Sequence, residues 1–546
     1  MPTLPVHIKH AGRTYDLTLD TDQPPTAFKQ TIYELTGVPQ ERMKVMVKGG
    51  VLKDDASWAK IAPKANQTFM VIGAAGPLPQ APEKPVVFLE DMDESEIAKV
   101  LALPPGLRNL GNTCYMNATV QAMRAIPELQ QSLLATTGGT GPLSGALREL
   151  YSQMSRSTEG VIPLRFLQVL RQVVPQFGEL DRSKSGAMAT AYAQQDAEEC
   201  WTAIANSLKE VPLAGTPGKK FIEQYMMGVM RRELKCDEAP EEEPTVTTEQ
   251  ILKLECNISI TTNFMHSGIM DALDQKIEKR SPSLGREAVY NQKSRLQRLP
   301  TYLAVHMVRF AWRRDIGKKA KIMRKVKFPV EYDALDLVTE DLKKQLEPVA
   351  RRLKELERDR AERRKVRKRT KIAKDSPPAD KGKGKSNETD VEMAEAAPEA
   401  APEAEASASD DKGKAVEGGA LEDESVYRAK EQKELEELVS PQLKEDVGCS
   451  VTGLYDLIAI VTHKGAAADA GHYMAYVKKS CFHPTAISGE ASSSSTATVL
   501  DDEDEDWYKF DDDKVTPFPK EKLATLDGGG EDSSAYVLLY RSKPLV

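Results

Sequence analysis

The segment from Gly106 to Met123 constrains this 546-residue chain more than any other. Its first half contains turn-forming glycines, and its second half places Met116, Val120 and Met123 at the spacing of one helix face. Cys114 therefore lies where a loop becomes a helix. The free N–H groups and the positive dipole end of a helix stabilise an anion, so a reactive thiolate is favoured here over an inert buried thiol.

The segment around Cys114 resembles the cysteine box of the ubiquitin-specific proteases, which reads Gly-Leu-x-Asn-x-Gly-Asn-Thr-Cys-Tyr-Met-Asn. Two later segments resemble the other boxes of this family, in the family's order. Gly471–Val477 resembles the histidine box, and Trp507–Val515 resembles the closing strand with the pattern Trp-x-x-Phe-Asp-Asp. The resemblance implies a papain-like cysteine protease domain with fingers, palm and thumb over residues 104–546.

The same resemblance implies a role for particular residues of these boxes. Cys114 would be the nucleophile and His472 the general base. Asp511 would orient His472, with Asp512 as the alternative candidate. Asn109 would stabilise the tetrahedral oxyanion together with the backbone N–H of Cys114. A thiol activated by an imidazole is the kind of nucleophile that a poorly reactive isopeptide carbonyl requires.

A fourth segment, Gln194–Glu199, resembles a further signature of the family and opens a stretch with apolar residues on one helical face. In the family this signature contacts the extended C-terminal tail of ubiquitin, which implies that Gln195 and Asp196 bind this tail. The tail carries arginines, and a carboxylate suits them. The alternative is that Asp196 is only a carboxylate favoured by the dipole at a helix N-terminus.

The pattern of apolar and polar residues in 1–75 predicts a separate small domain. Alternating apolar and polar residues indicate a hairpin, an amphipathic helix follows, and the last strand is Thr68–Ile72. This order resembles a ubiquitin-like β-grasp domain, so the fold class expected for the whole chain is α+β. The same alternation predicts that Val45 and Val47 point inward and Met46 outward. Met46 and Ile72 are candidate docking residues on the sheet, the alternative being that they are ordinary apolar surface residues. The Pro-rich stretch 76–103 is the expected linker.

Composition argues against several other classes of protein. Six irregularly spaced cysteines do not suggest a disulfide framework, and the mild net charge of −8 argues against general nucleic-acid binding. No apolar run is long enough to span a membrane, and residues 1–12 lack a signal-peptide core. We therefore expect a protein of the cytoplasm and nucleus that is monomeric when free.

A zinc site is not expected in the fingers region, residues 217–332. Members of the family often bind zinc there with two Cys-x-x-Cys pairs, whereas this region contains only Cys236 and Cys256. A tetrahedral site needs four ligands, so neither a metal nor another cofactor is predicted. Hydrophobic packing of strand-like runs, among them Phe221–Met230, would then hold the fingers together.

Two polar insertions interrupt the expected catalytic domain, at about 345–425 and about 484–506. The first begins with a helical, basic stretch and continues into Ala-Pro-Glu repeats, so we expect it to be largely disordered. Its basic run, Arg363–Arg369, is a candidate nuclear signal or a contact for RNA or the proteasome. The alternative is a solvated helix.

The order of the two domains resembles that of the proteasome-associated ubiquitin-specific proteases. This resemblance implies a deubiquitinase that acts on ubiquitin and polyubiquitin conjugates at the 26S proteasome, sparing ubiquitin from degradation. Residues 1–75 would dock on the regulatory particle, and the loops at Arg313–Lys319 and Lys464–Ala470 would cover the groove until docking. Two alternatives are a non-catalytic ubiquitin-binding regulator of the proteasome and an unrelated Cys-His-Asp acyltransferase.

Overall fold

The computed structural model describes residues 3–48, 50–73, 103–136, 140–181, 192–313, 317–375, 423–467, 470–483 and 504–545. The chain divides into two compact units, Met1–Met92 and Asp93–Val546. Except for Leu103, the predicted linker at 76–103 lies outside the described residues, as does most of the predicted insertion at 484–506. No helix within the described ranges is both long and apolar enough to cross a membrane.

The first unit is a five-stranded sheet with a helix packed against it. Its strands lie in the order β2-β1-β5-β3-β4, and β1 pairs with β5 in parallel. The bounds are β1 Thr3–His10, β2 Arg13–Asp20, α1 Pro25–Thr36, β3 Lys44–Val47, β4 Gly50–Val51, α2 Trp58–Ile61 and β5 Gln67–Ile72. This is the β-grasp arrangement that the order of hairpin, helix and strands predicts.

Alternation along the strands separates the two faces of this sheet. Val45 and Val71 are buried in one core with Phe28 and Ile32 of α1. The intervening residues of β3 and β5 point to the opposite face and are exposed, as the period of two along a strand requires. The predicted inward direction of Val45 and outward direction of Met46 are thereby confirmed.

The second unit begins with a group of helices. Their bounds are α3 Cys114–Met123, α4 Pro127–Ala135, α5 Pro142–Arg156, α6 Leu164–Val173, α7 Ala197–Ser207 and α8 Phe221–Tyr225. Every residue of α3 is buried, so this helix runs through the core. The strand predicted at Phe221–Met230 is wrong in its first half, because the rings of Phe221 and Tyr225 stack one helical turn apart, with 5.5 Å between centroids.

A four-stranded antiparallel sheet occupies the region predicted as the fingers. Its strands are β6 Gly228–Cys236, β7 Thr245–Ile251, β9 Asp274–Arg280 and β10 Glu287–Arg298, in the order β7-β6-β10-β9. Buried Cys236 packs with Tyr290 at one end of this sheet. There Glu242 accepts hydrogen bonds from the hydroxyls of Tyr290 at 2.7 Å and Ser281 at 2.9 Å. Cys256 belongs to a different buried cluster.

A ten-stranded sheet forms the centre of the second unit, and its main path runs β18-β17-β16-β15-β19-β11-β8. The bounds are β8 Leu254–Asn257, β11 Tyr302–Val308, β12 Phe310–Arg313, β13 Lys318–Lys321, β14 Glu331–Asp333, β15 Leu454–Ala467, β16 Ala470–Lys478, β17 Trp507–Asp511, β18 Lys514–Phe518 and β19 Ser534–Ser542. Helix α9, Met265–Leu273, lies between β8 and β9 in the chain. The mixture of separate helices and largely antiparallel sheets confirms the α+β class.

The helical stretch predicted at the start of the insertion at about 345–425 is present, and the part expected to be disordered lies outside the described residues. Helix α10 runs from Glu340 to Asp375, and the chain then continues as α11 Glu424–Leu438 and α12 Pro441–Glu445. Apolar side chains at helical spacing in α10, including Leu346 and Leu353, are buried in the same cluster as the sheet. This burial offsets the entropy of ordering the helix. Residues 376–422, with the Ala-Pro-Glu repeats, lie outside the described part of the chain.

A buried ion cluster joins α10 to α11. Glu431 accepts hydrogen bonds from the guanidinium groups of Arg360 and Arg363, each at 2.6 Å. The side chains of Glu431 and Arg360 are each 7% exposed, so the two charges depend on each other for solvation. Removing one partner of such a pair leaves the other charge buried without compensation.

We therefore predict that Glu431→Ala destabilises the pairing of α10 and α11 by about 3–5 kcal/mol, because the buried guanidinium group of Arg360 loses its carboxylate. Hydrogen exchange at the buried Leu435 amide measures this free energy. The matched control is Glu437→Ala, an exposed glutamate on the same helix. Equal protection of Leu435 in the two variants would contradict the prediction.

Candidate active site

Cys114 is the first residue of α3, which confirms its predicted position at the junction of loop and helix. The preceding loop turns through Gly111 and Asn112, whose φ angles of 95° and 54° are both positive. The hydroxyl of Thr113 accepts a hydrogen bond from the N–H of Leu110 at 2.9 Å and ties this turn together. Cys114 is thus carried on a backbone held by these bonds, and the residue is only 3% exposed.

His472 and Asp511 come from neighbouring antiparallel strands. His472 is the third residue of β16, and Asp511 is the last residue of β17. The imidazole Nε2 lies 2.6 Å from the Asp511 Oδ1. The thiol of Cys114 lies close enough to this ring to raise its pKa. Because Nε2 faces the carboxylate, the other ring nitrogen, Nδ1, is the one available to the thiol.

The electrostatics of this cluster favour a charged imidazole. The hydrogen bond to Asp511 and the nearby Cys114 thiol raise the pKa of His472 to about 10, although partial burial acts in the opposite direction. The same bond to His472 lowers the pKa of Asp511 to about 2, and Lys509 adds to this effect. The Lys509 Nζ lies 3.1 Å from the second oxygen of Asp511. An imidazolium next to a carboxylate is therefore the stable arrangement at neutral pH.

Asp512 hydrogen-bonds not to His472 but to the loop that precedes Cys114 and to the helix that Cys114 begins. It lies in the two-residue turn between β17 and β18, with a positive φ of 53°. Its carboxylate accepts hydrogen bonds from the amides of Asn109 at 2.9 Å and Asn117 at 2.8 Å. Its carbonyl oxygen accepts from the N–H of Leu107 at 2.9 Å. The geometry thus distinguishes the two aspartates, because only Asp511 faces the imidazole.

Gly106 is needed for this close approach of loop and turn. A Cβ on Gly106 would lie 2.5 Å from the carbonyl oxygen of Asp513 and 2.7 Å from that of Asp512. Any larger residue would push the loop away from the turn. The glycine of the cysteine box therefore has a packing reason that is visible only in the folded chain.

The exposed side chain of Asn109 forms hydrogen bonds through both polar atoms of its amide. Its Oδ1 accepts hydrogen bonds from the N–H groups of Gly111 at 2.9 Å and Thr113 at 3.2 Å. Its Nδ2 donates to Asp512, and an amide nitrogen has a second N–H. The side chain is therefore oriented, with one donor left for a ligand.

The described residues contain one group of at least three histidine, cysteine or acidic side chains close enough to share a metal ion, namely His472, Asp511 and Asp512. Their ligand atoms lie within 4.8 Å of one another. Asp511 binds the imidazole and Lys509, and Asp512 binds two asparagine amides. These donors are already paired with protein groups, so the donor set fits a hydrogen-bonded relay better than a metal site.

Comparison with known proteins places this geometry in a family. Residues 105–540 match the family model described as ubiquitin carboxyl-terminal hydrolase. The chain belongs to this family. It is 38% identical over 543 residues to ubiquitin carboxyl-terminal hydrolase 6 of Schizosaccharomyces pombe, and the alignment covers 99% of both chains.

Two further members of the ubiquitin carboxyl-terminal hydrolase family align over nearly their whole length. Ubiquitin carboxyl-terminal hydrolase 6 of Arabidopsis thaliana is 36% identical over 557 residues, which covers 100% of this chain and 99% of the relative. Ubiquitin carboxyl-terminal hydrolase 14 of Caenorhabditis elegans is 28% identical over 553 residues, which covers 98% of this chain and 93% of the relative. The similarity therefore includes the first unit as well as the second.

The fourth signature begins with Gln194, which lies next to this cluster, and continues into α7. Asp196 caps α7 by accepting a hydrogen bond from the N–H of Glu198 at 2.7 Å. Its second oxygen accepts from the hydroxyl of Tyr536 at 2.6 Å. Burial raises the pKa of Asp196 above its ordinary value, against the effect of these bonds. Gln195 is half-buried beside it. The helix-capping role is thus present, and it leaves further lone pairs of the carboxylate for a ligand.

Three residues beside the cluster were not singled out from the sequence. Lys509 and Asn117 lie within the family boxes, but their contacts to Asp511 and Asp512 depend on how distant segments meet. Gln194 donates to the carbonyl of Gly471 at 2.6 Å, across 277 positions of sequence. Local patterns contain no signal for contacts over such separations.

The described parts of the two predicted groove loops lie side by side. Strand β13 pairs with β12, and its Ala320 pairs with Ala467 of β15. The Nζ of Lys319 lies 3.9 Å from a carboxylate oxygen of Glu199 on α7. Residues 314–316 and 468–469 lie outside the described part of the chain.

The candidate docking residues of the first unit share its exposed sheet face. Met46 is 38% exposed and Ile72 is 52% exposed. Met70, which the sequence analysis did not single out, pairs with Met46 across β3 and β5 and is 53% exposed. Together these three side chains form an apolar patch on the face opposite α1.

The pKa of His472 gives a direct test of the relay geometry. We predict that Asp511→Asn lowers this pKa from about 10 towards its ordinary value of about 6.5, because a neutral amide stabilises the imidazolium less than a carboxylate does. The imidazolium is then lost at a lower pH. An NMR titration of the His472 ring measures the change.

The control is Asp513→Asn, which removes an exposed carboxylate from the same turn. It should leave the titration of His472 unchanged. An identical pKa of His472 in the Asp511→Asn variant and the unaltered chain would show that the carboxylate does not act on the ring.

Proposed function

We propose that this protein is a thiol-dependent deubiquitinase that hydrolyses isopeptide bonds at the C-terminal glycine of ubiquitin. The observation that carries the proposal is the imidazole of His472, placed between the carboxylate of Asp511 and the thiol of Cys114. Membership of the ubiquitin carboxyl-terminal hydrolase family supports the choice of substrate. The acceptor bond is the one that joins ubiquitin to a lysine of a conjugated protein or of another ubiquitin.

In the first step, the Cys114 thiolate attacks the carbonyl carbon of the glycine and forms a tetrahedral intermediate. The imidazolium of His472 then donates its proton to the departing lysine amine, and the carbon–nitrogen bond breaks. A thioester between Cys114 and ubiquitin remains. Water, deprotonated by His472, attacks this thioester and releases the ubiquitin carboxylate and the thiolate.

Asn109 and the N–H of Cys114 are placed to stabilise the oxyanion of the intermediate. The free donor of Asn109 is oriented by Asp512, and the N–H of Cys114 lies at the start of α3. Donors fixed before the reaction stabilise developing charge without a cost of reorganisation. Asp511 keeps the ring of His472 turned so that Nδ1 faces the thiol.

Gln195 and Asp196 are proposed to bind the C-terminal tail of ubiquitin. They lie at the start of α7, in the segment that also places Gln194 beside Cys114. A partly buried carboxylate two residues after the amide that lies beside the thiol is suited to an arginine of the tail. The contact between Lys319 and Glu199 supports the further proposal that the groove loops cover this path before docking.

We predict that Cys114→Ala abolishes hydrolysis of a ubiquitin–fluorophore conjugate and retains ubiquitin binding, because the nucleophile is lost while the groove is unchanged. Fluorescence release and a binding titration measure the two properties. Cys449→Ser, at a half-buried thiol outside the cluster, is the control and should retain activity. Hydrolysis by the Cys114→Ala variant would contradict the assignment of Cys114 as the nucleophile.

The first unit is proposed to dock on the regulatory particle of the 26S proteasome. Its exposed apolar patch of Met46, Met70 and Ile72 supports a docking role, since such side chains bury favourably against a partner. Docking would concentrate the hydrolase on conjugates held at the proteasome and spare their ubiquitin from degradation. Six free thiols support a reducing compartment, and we propose the cytoplasm and nucleus, with a monomer when the protein is free.

We predict that Met70→Glu reduces capture of purified 26S proteasome by about tenfold or more, because a carboxylate buried in an apolar interface lacks compensation. Binding of the full-length protein to immobilised proteasome measures the effect. The control is Tyr33→Glu, which adds the same charge at an exposed site on α1. Equal capture of the two variants would refute docking through this patch.

A further inference from the structure

The strand that carries His472 begins with a defect in its pairing. Residues of β15 and β16 pair regularly up to Lys464 and His472, and the next pair is Ala467 with Ala470. Gly471 therefore lies at a register shift. On the other edge, the pairing of β16 with β17 starts only at Ala475. The sheet thus leaves the residue before the histidine without ordinary ladder partners.

The side chain of Gln194 supplies these missing partners. Its Nε2 donates to the carbonyl oxygen of Gly471 at 2.6 Å, and its Oε1 accepts from the N–H of Gly471 at 3.4 Å. One amide thus binds both polar groups of one backbone residue. Backbone groups without a partner are costly inside a protein, so this contact replaces the two ladder bonds that the shift removes.

Gly471 cannot move away from Gln194 on its other side. A Cβ at this position would overlap the ring of His463 and would lie 2.6 Å from the carbonyl oxygen of Lys464. His463 is completely buried and is packed by the rings of Phe310 and Tyr473 at centroid distances of 5.1 and 4.8 Å. Gly471 is therefore held between a fixed ring and a fixed amide.

The same amide also faces the reacting thiol. The Nε2 of Gln194 lies 4.0 Å from the Sγ of Cys114. This nitrogen has two N–H groups, so it can bind the carbonyl of Gly471 with one and direct the other towards the sulfur. Gln194 therefore contacts both sides of the pair that the proposed mechanism requires, namely the thiol and the peptide that leads into the imidazole.

We propose that Gln194 is a positioning residue, which holds the Gly471–His472 peptide so that the imidazole stays within reach of the Cys114 thiol. This inference rests on the proposed function, because it concerns the same thiol–imidazole pair. It assigns Gln194 a role inside the enzyme that is separate from the ubiquitin-binding role proposed for Gln195 and Asp196.

The test is the rate at which iodoacetamide alkylates Cys114, measured by mass spectrometry of the peptide that contains it. This reaction needs no ubiquitin, so it reports on the thiol–imidazole pair even if the proposed substrate were wrong. Gln194→Glu is isosteric but places a carboxylate against the carbonyl of Gly471. Gln442→Glu, at an exposed glutamine of α12, is the matched control.

We expect Gln194→Glu to slow alkylation by about tenfold or more at neutral pH, since small displacements of a reacting group cost large factors in rate. The deficit should shrink as the pH falls, because a protonated glutamic acid can again donate to Gly471. With the ubiquitin–fluorophore conjugate, kcat should fall and KM should change by less than about threefold. Gln194→Ala, which adds no charge, should show a smaller loss in the same direction.

Two results would overturn the proposal. Alkylation of Gln194→Glu at the rate of the Gln442→Glu control, across the whole pH range, would show that the amide does not position the pair. An increase in KM with unchanged kcat and unchanged alkylation would make Gln194 a contact for ubiquitin instead. Equal thermal midpoints of the variants establish that the fold is intact, and Gln194→Ala decides the question where the charged variant unfolds.

Discussion

The hydrogen bond between His472 and Asp511 is the interaction on which the active site depends. It charges the imidazole, and a charged imidazole in turn stabilises the thiolate of Cys114. Three separate segments of the chain bring the three groups together. Strands β16 and β17 place the imidazole and the carboxylate on neighbouring backbones, and α3 presents the thiol from its first residue.

A second set of contacts holds these segments in place relative to one another. The turn at Asp512 binds the loop before Cys114 through a backbone bond and the amide of Asn109, and it binds α3 through the amide of Asn117. At the residue before the histidine, Gln194 in its proposed positioning role would serve the same purpose where the sheet pairing fails. Amide side chains therefore connect segments that the regular ladders do not reach.

The sequence allowed the local features to be predicted, and the family boxes indicated the rest of the site. Glycines followed by helical spacing placed Cys114 at a helix start, and alternation gave the outward direction of Met46. The helix at Phe221–Tyr225 was missed, because a short apolar run is compatible with either a strand or a helix. The stacking of the two rings in the folded chain favours the helix. The partner of Gln194 could not be predicted, since it depends on a register shift in a sheet assembled from distant strands.

The most direct test of the account is labelling with ubiquitin that carries a thiol-reactive group at its C-terminus. The account predicts a single covalent adduct at Cys114, formed much more slowly in the His472→Ala variant because the imidazole no longer stabilises the thiolate. An adduct on another cysteine, or labelling of His472→Ala at the rate of the unaltered protein, would contradict it.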